Sequence, residues 1–144
     1  MYKKLPKHLS NKGTEFVFLF EQIYKTATET ETEENFSVFY NFPNNGRKFI
    51  ETLLYFKYPD YRTKINDKIV NYFGDENYPF IQRINNEYSH GEDRFDRTRN
   101  PINTSEFKHD ARIILSTLHQ NDSEQFQSFL NNSNLAFPNF LEDI

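Results

Sequence analysis

Apolar residues recur three and four positions apart through most of this chain, the spacing that keeps them on one face of an α-helix. Phe16, Leu19, Phe20, Ile23, Tyr24 and Ala27 predict a first helix begun near Thr14. Phe49, Ile50, Leu53, Leu54 and Phe56 predict a second, preceded by Pro43 and Asn44 and stopped before Pro59. Ile65, Ile69, Val70 and Phe73 predict a third, ended by Gly74. Phe80, Ile81, Ile84 and Tyr88 predict a fourth, with Pro79 suited to its first turn and Gly91 just past its end. A fifth carries Phe107, Ala111, Ile114, Leu115 and Leu118 behind a Thr104 or Ser105 cap. A short sixth carries Phe126, Phe129 and Leu130 behind Asp122 or Ser123.

Two stretches break the period. Thr26 to Glu34 is an acidic, threonine-rich run with no apolar stripe, so residues 26–35 read as a loop. Residues 133–144 form a tail in which Phe137, Phe140 and Leu141 predict docking on the body or on a partner. No segment alternates as a strand would. The expectation is an all-α bundle of five or six helices in one domain spanning residues 1–144.

Composition sharpens that picture. Only 36% of the residues are apolar, yet 17% are aromatic, with 16 Phe and 9 Tyr. Large rings bury much area each and offset the low apolar count. The absence of cysteine removes disulfides and thiolate metal sites and suits a reducing cytoplasm. The lysines near the start precede no apolar stretch, and no run is long enough to span a membrane, so a cytoplasmic protein is expected. A net charge of −4 argues against a general nucleic-acid coat, although Arg94, Arg97 and Arg99 cluster locally.

The chemistry that stands out is a set of guanidinium, carboxylate and imidazole groups. Arg47 and Glu51 lie four apart and so share one helical face. Arg83, then Asn86 or Glu87, then His90 fall along another stripe. Brought together, such groups can hold a phosphate and move protons near neutral pH. The plainer alternative is an ordinary helical ion pair plus a helix-terminal histidine. His8, His109 and His119 sit apart without metal-ligand spacing, so no metal is expected.

Three stretches resemble a known family: Phe42 to Pro59, Ile84 to Gly91, and Phe95-Asp96-Arg97. They look like the C-terminal region of the PrrC/RloC-like anticodon nucleases, within the HEPN superfamily of helical nucleases. The resemblance runs from about Thr14 to about Leu130, and its most specific part is Arg47 and Glu51 followed at a distance by Ser89-His90. It implies a HEPN-like up-and-down bundle and a catalytic set of Arg47, Glu51 and His90. The general HEPN motif nominates Arg83 with His90 instead, though Ile84 stands where many members have asparagine. The implied activity is metal-independent endoribonuclease cleavage of tRNA or another structured RNA, needing no cofactor and leaving 2′,3′-cyclic phosphate ends. Asn85, Asn86, Arg94, Arg97 and Arg99 are the expected RNA contacts. A toxin-like role in phage defence, a homodimer, and control by a separate ATPase or antitoxin are the implied setting. The rival expectations are a non-catalytic helical interaction module and an antitoxin-like inhibitor. Relatives of that kind carry a P-loop ATPase, but these 144 residues have no glycine-x4-Gly-Lys-Ser/Thr motif.

Overall fold

The computed structural model describes residues 7–86 and 104–142. Among them lie seven α-helices, one short 3-10 turn and no strand. The helices are α1 (Lys7–Thr28), α2 (Phe36–Tyr40), α3 (Phe42–Lys57), α4 (Ile65–Phe73), α5 (Tyr78–Asn86), α6 (Thr104–Asn121) and α7 (Ser123–Ser133). The chain is an all-α bundle, as its periodicity predicts. Thr104 and Ser105, the expected caps, are the first two residues of α6 itself.

α1 is the central helix. It packs along α6 and α3 and touches α7, while α5 lies on α3 and α4. The reason is its apolar stripe: Leu19, Phe20, Ile23 and Ala27 are all buried, and Phe16 packs against the same core. Phe20 stacks face to face on Phe129 of α7 at 4.5 Å, and Phe16 meets Phe49 of α3 at 4.9 Å. Ring pairs of this kind add roughly 0.5–1.5 kcal/mol beyond the area they bury. That is how a chain poor in aliphatic residues fills its interior.

Residues 26–35 depart from the expected loop only at their start, and 29–35 are non-helical as expected. Helix α1 continues through Thr28, and the rest is a built turn organised by Asn35. The Asn35 side chain donates to Glu29 Oε1 at 3.1 Å and to the Thr30 carbonyl at 2.9 Å. It also accepts from the Thr32 backbone N–H at 2.6 Å. One asparagine thereby satisfies several backbone and side-chain groups of the turn. α2, too short to show a period, follows it and buries Phe39. The carbonyls at the end of α1 are met from α6: Arg112 Nε donates to the Ala27 carbonyl at 2.9 Å and Lys108 Nζ to that of Glu29 at 2.6 Å.

The tail docks on the body as expected. Asn134 takes the left-handed conformation at the end of α7, φ 56 and ψ 42, where asparagine is tolerated. The Leu135 N–H then reaches the Leu130 carbonyl at 2.9 Å and turns the chain back. Tyr24 donates its hydroxyl to the Ala136 carbonyl at 2.7 Å, Phe137 sits edge-on to His119 and Phe126, and Leu141 is buried. Among the described residues, no helix is long and apolar enough to cross a membrane.

Candidate functional site

The sequence nominates Arg47 and Glu51, and α3 carries both on an outward flank. Phe49, Ile50, Leu53 and Leu54 turn that helix's other side into the core. Arg47 is 31% exposed and Glu51 45%. A single guanidinium nitrogen, Nη1, reaches both carboxylate oxygens at 3.3 Å, rather than two nitrogens gripping two oxygens. Such a contact is long for a charge-assisted bond and lacks the paired geometry that makes arginine–carboxylate pairs strong. The order is also the weaker one for a helix, with the cation N-terminal to the acid. The pair holds only about 0.2–0.5 kcal/mol. Arg47 Nε is buried and has no hydrogen-bond partner among the described residues. A guanidinium held this loosely can exchange its carboxylate for an incoming phosphate.

Arg83 is engaged differently. Its Nη2 lies 2.6 Å from Glu106 Oε1 and 3.4 Å from Asp110 Oδ2, both on α6. Asp110 is fully buried. Burial pushes its carboxyl above the usual carboxylate range, and Arg83 and His109 pull it back only in part. Arg83 also lies over the Phe80 ring at 5.6 Å. It thus serves as the counter-charge that ties α5 to α6.

The two arginines flank one helix crossing. Gly46 of α3 faces Ile84 of α5 so closely that a Cβ at Gly46 would stand 3.3 Å from Ile84 Cγ2. Arg47 and Arg83 are the sequence neighbours of these two contact residues. Asn85 is buried, so its side chain belongs to the interior rather than to an open RNA-contacting surface. Asn86 is the last residue of α5. His90, Arg94, Arg97 and Arg99 lie outside the described residues.

Sequence reasoning passed over the acids that meet Arg83, although Glu106 and Asp110 stand four apart on α6 and so share a face. It also set His109 aside. This ring meets the edge of Phe80 at 4.9 Å, and its Nδ1 lies 3.4 Å from Asp110 Oδ1. Asp122, expected to cap α7, makes no capping bond and instead joins three elements. It accepts from Lys57 Nζ at 2.9 Å and from the Tyr72 hydroxyl at 2.6 Å.

A family model described as an AAA domain matches residues 1–116, and the chain belongs to that family. No curated protein and no solved structure matches it. Because these 144 residues hold no P-loop, membership brings no nucleotide-binding loop of that type with it.

Proposed function

We propose that this member of the AAA domain family is a HEPN-type, metal-independent endoribonuclease that cuts tRNA or another structured RNA. The observation that carries the reading is the Arg47–Glu51 pair, exposed on α3 and weakly self-satisfied beside the α3–α5 crossing. The PrrC/RloC-like resemblance and the ATPase-associated family lend it further support.

In this reading RNA supplies its own nucleophile. The 2′-oxygen forms a bond to phosphorus, the bond from phosphorus to the 5′-oxygen breaks, and the products are a 2′,3′-cyclic phosphate and a 5′-hydroxyl. One group accepts the 2′-hydroxyl proton and another donates a proton to the leaving oxygen. His90 and Glu51 divide these roles, since imidazole titrates near the working pH. Arg47 holds the non-bridging oxygens and offsets their growing charge. Arg83, occupied by Glu106 and Asp110, is a positioning group rather than a second phosphate ligand. The biological setting is toxin-like action in phage defence, by a homodimer under the control of an ATPase or antitoxin.

A non-catalytic helical module or antitoxin-like inhibitor is the second reading. It is favoured by one observation: the arginine that the general HEPN motif would use is committed to an internal ion pair. Brief induction of wild type and His90→Ala, followed by sequencing of cellular RNA ends, separates the two. Cyclic-phosphate ends that accumulate only with wild type, and persist in EDTA with purified protein, support the nuclease. Identical RNA ends from both strains rule it out.

A further inference from the structure

The stripe that bears Arg47 and Glu51 does not stop there. Tyr55 is the next residue at the same spacing, so it shares their flank of α3 about 12 Å along the axis from Arg47. Tyr55 and the adjacent Phe56 are each 64% exposed, with ring centroids 5.6 Å apart. Six residues beyond Tyr55, Tyr61 is 86% exposed at the tip of the α3–α4 connection. That tip is ordered: Asp60 accepts from the Arg62 backbone N–H at 2.9 Å, and the Thr63 N–H reaches the Asp60 carbonyl. Three large rings turned to water on ordered backbone within seven residues mark an interaction surface.

Charge says what covers it. The chain carries −4 overall, yet Arg47 to Lys64 holds Arg47, Lys48, Lys57, Arg62 and Lys64 against Glu51 and Asp60. Lys48, Arg62 and Lys64 are exposed, and Asp60 is occupied within its own turn. Lys57 is drawn away to Asp122. The Arg62 guanidinium stands 5.9 Å from the Tyr61 ring centroid, so cation and ring present themselves together. Exposed rings interleaved with cations suit unpaired nucleotides: each base has a face to stack, and the phosphates meet the cations. A base-paired helix offers neither open base faces nor room for a ring between them.

We infer that Tyr55, Phe56 and Tyr61, with Lys48, Arg62 and Lys64, form a stacking platform for a single-stranded RNA segment leading to Arg47. This deepens the proposed nuclease reading and rests on it for the identity of the nucleic acid. The platform grips bases beside the scissile linkage, so the enzyme selects loops over stems.

The test separates binding from cutting. The probe is a labelled, 2′-O-methylated single strand of about 12 nucleotides, which spans such a platform but lacks the attacking hydroxyl. Fluorescence anisotropy on the full chain should show that Tyr55→Ala/Tyr61→Ala weakens binding about tenfold per ring. Tyr55→Phe/Tyr61→Phe should restore it, since stacking needs the ring and not the hydroxyl. Arg62→Ala/Lys64→Ala should flatten the dependence of log Kd on log salt by nearly two phosphate contacts. Unchanged affinity in the double alanine variant, with native circular dichroism, overturns the inference. So does equal affinity for a duplex of the same length, or an effect of the alanine pair on self-association alone. Ring-dependent binding by a wild type that cuts no RNA refutes the nuclease and leaves the platform standing.

Discussion

Asp122 accepts the Tyr72 hydroxyl at 2.6 Å across 50 residues of chain, and the same carboxylate holds Lys57 at 2.9 Å. Burial pushes the Asp122 carboxyl up, but the tyrosine and lysine outweigh it and leave it below the ordinary carboxylate range. Tyr72, buried first and then faced by this anion, holds its proton well above tyrosine's ordinary value. A carboxyl depressed by folding contributes stability that is present above its unfolded pKa and lost as pH falls through the folded value. Asp122→Ala should therefore lower stability by about 2 kcal/mol at neutral pH, mostly through the lost Tyr72 bond, since the Lys57 contact is exposed. Urea midpoints at pH 7 and under acid conditions check this: the gap between variant and wild type should shrink as Asp122 becomes protonated.

Arg83 should behave as a structural cation. Arg83→Ala strands the buried Asp110 and is expected to cost about 3 kcal/mol. Adding Asp110→Asn should recover much of that loss. Asp110 has its folded pKa raised by burial, so its ionisation works against folding, and stability is lost as pH rises through that value. The Arg83→Ala deficit should therefore be smaller in mild acid than at neutral pH. Thermal melts of the single and double variants at both pH values decide it, and a pH-independent deficit would contradict the assignment.

Arg47 should behave in the opposite way. Arg47→Ala removes a contact of about 0.2–0.5 kcal/mol, so its melting temperature should stay close to wild type. RNA cleavage should drop about a hundredfold or more, the scale of losing one preorganised charge donor at a reacting phosphate. A paired measurement of melting and single-turnover cleavage exposes the contrast with Arg83→Ala.

The Gly46–Ile84 contact sets how closely α3 and α5 approach. At Gly46→Ala the gain in helix propensity and a Cβ standing 3.3 Å from Ile84 nearly cancel. Gly46→Val wedges the crossing open and should cost about 1–3 kcal/mol. Because Arg47 is adjacent to the wedge, cleavage at a temperature where the variant is fully folded should also fall. Retained cleavage in a folded Gly46→Val protein would uncouple the crossing from the site.

Much of this architecture is legible in the sequence because its helices are amphipathic around aromatic stripes. The ends are less so, since tertiary hydrogen bonds decide them. α1 runs past the threonine-rich start of the acidic segment because Arg112 and Lys108 meet its last carbonyls from a helix 80 or so residues later in the chain. Asp122 stands at a capping position yet is drawn to Tyr72 and Lys57, partners that no local pattern reveals. The Arg47–Glu51 pair is readable because it obeys the helical period. The fate of Arg83 is not, because its partners come from α6. Phe56, counted in the apolar stripe of the second predicted helix, is instead 64% exposed, because aromatic character alone says nothing of which side faces water.

Phe20 stacks on Phe129, so the first helix finds one of its main ring partners only near the end of the chain. During synthesis the nascent α1 can first meet Phe49 of α3, but the face of Phe20 that stacks on Phe129 stays uncovered until α7 has left the ribosome. Long-range closure of this kind slows folding and opens a window for aggregation. It also means that the folded unit reaches past residue 116, where the family match ends: a chain cut there would lose Phe126, Phe129 and Leu130 from its interior.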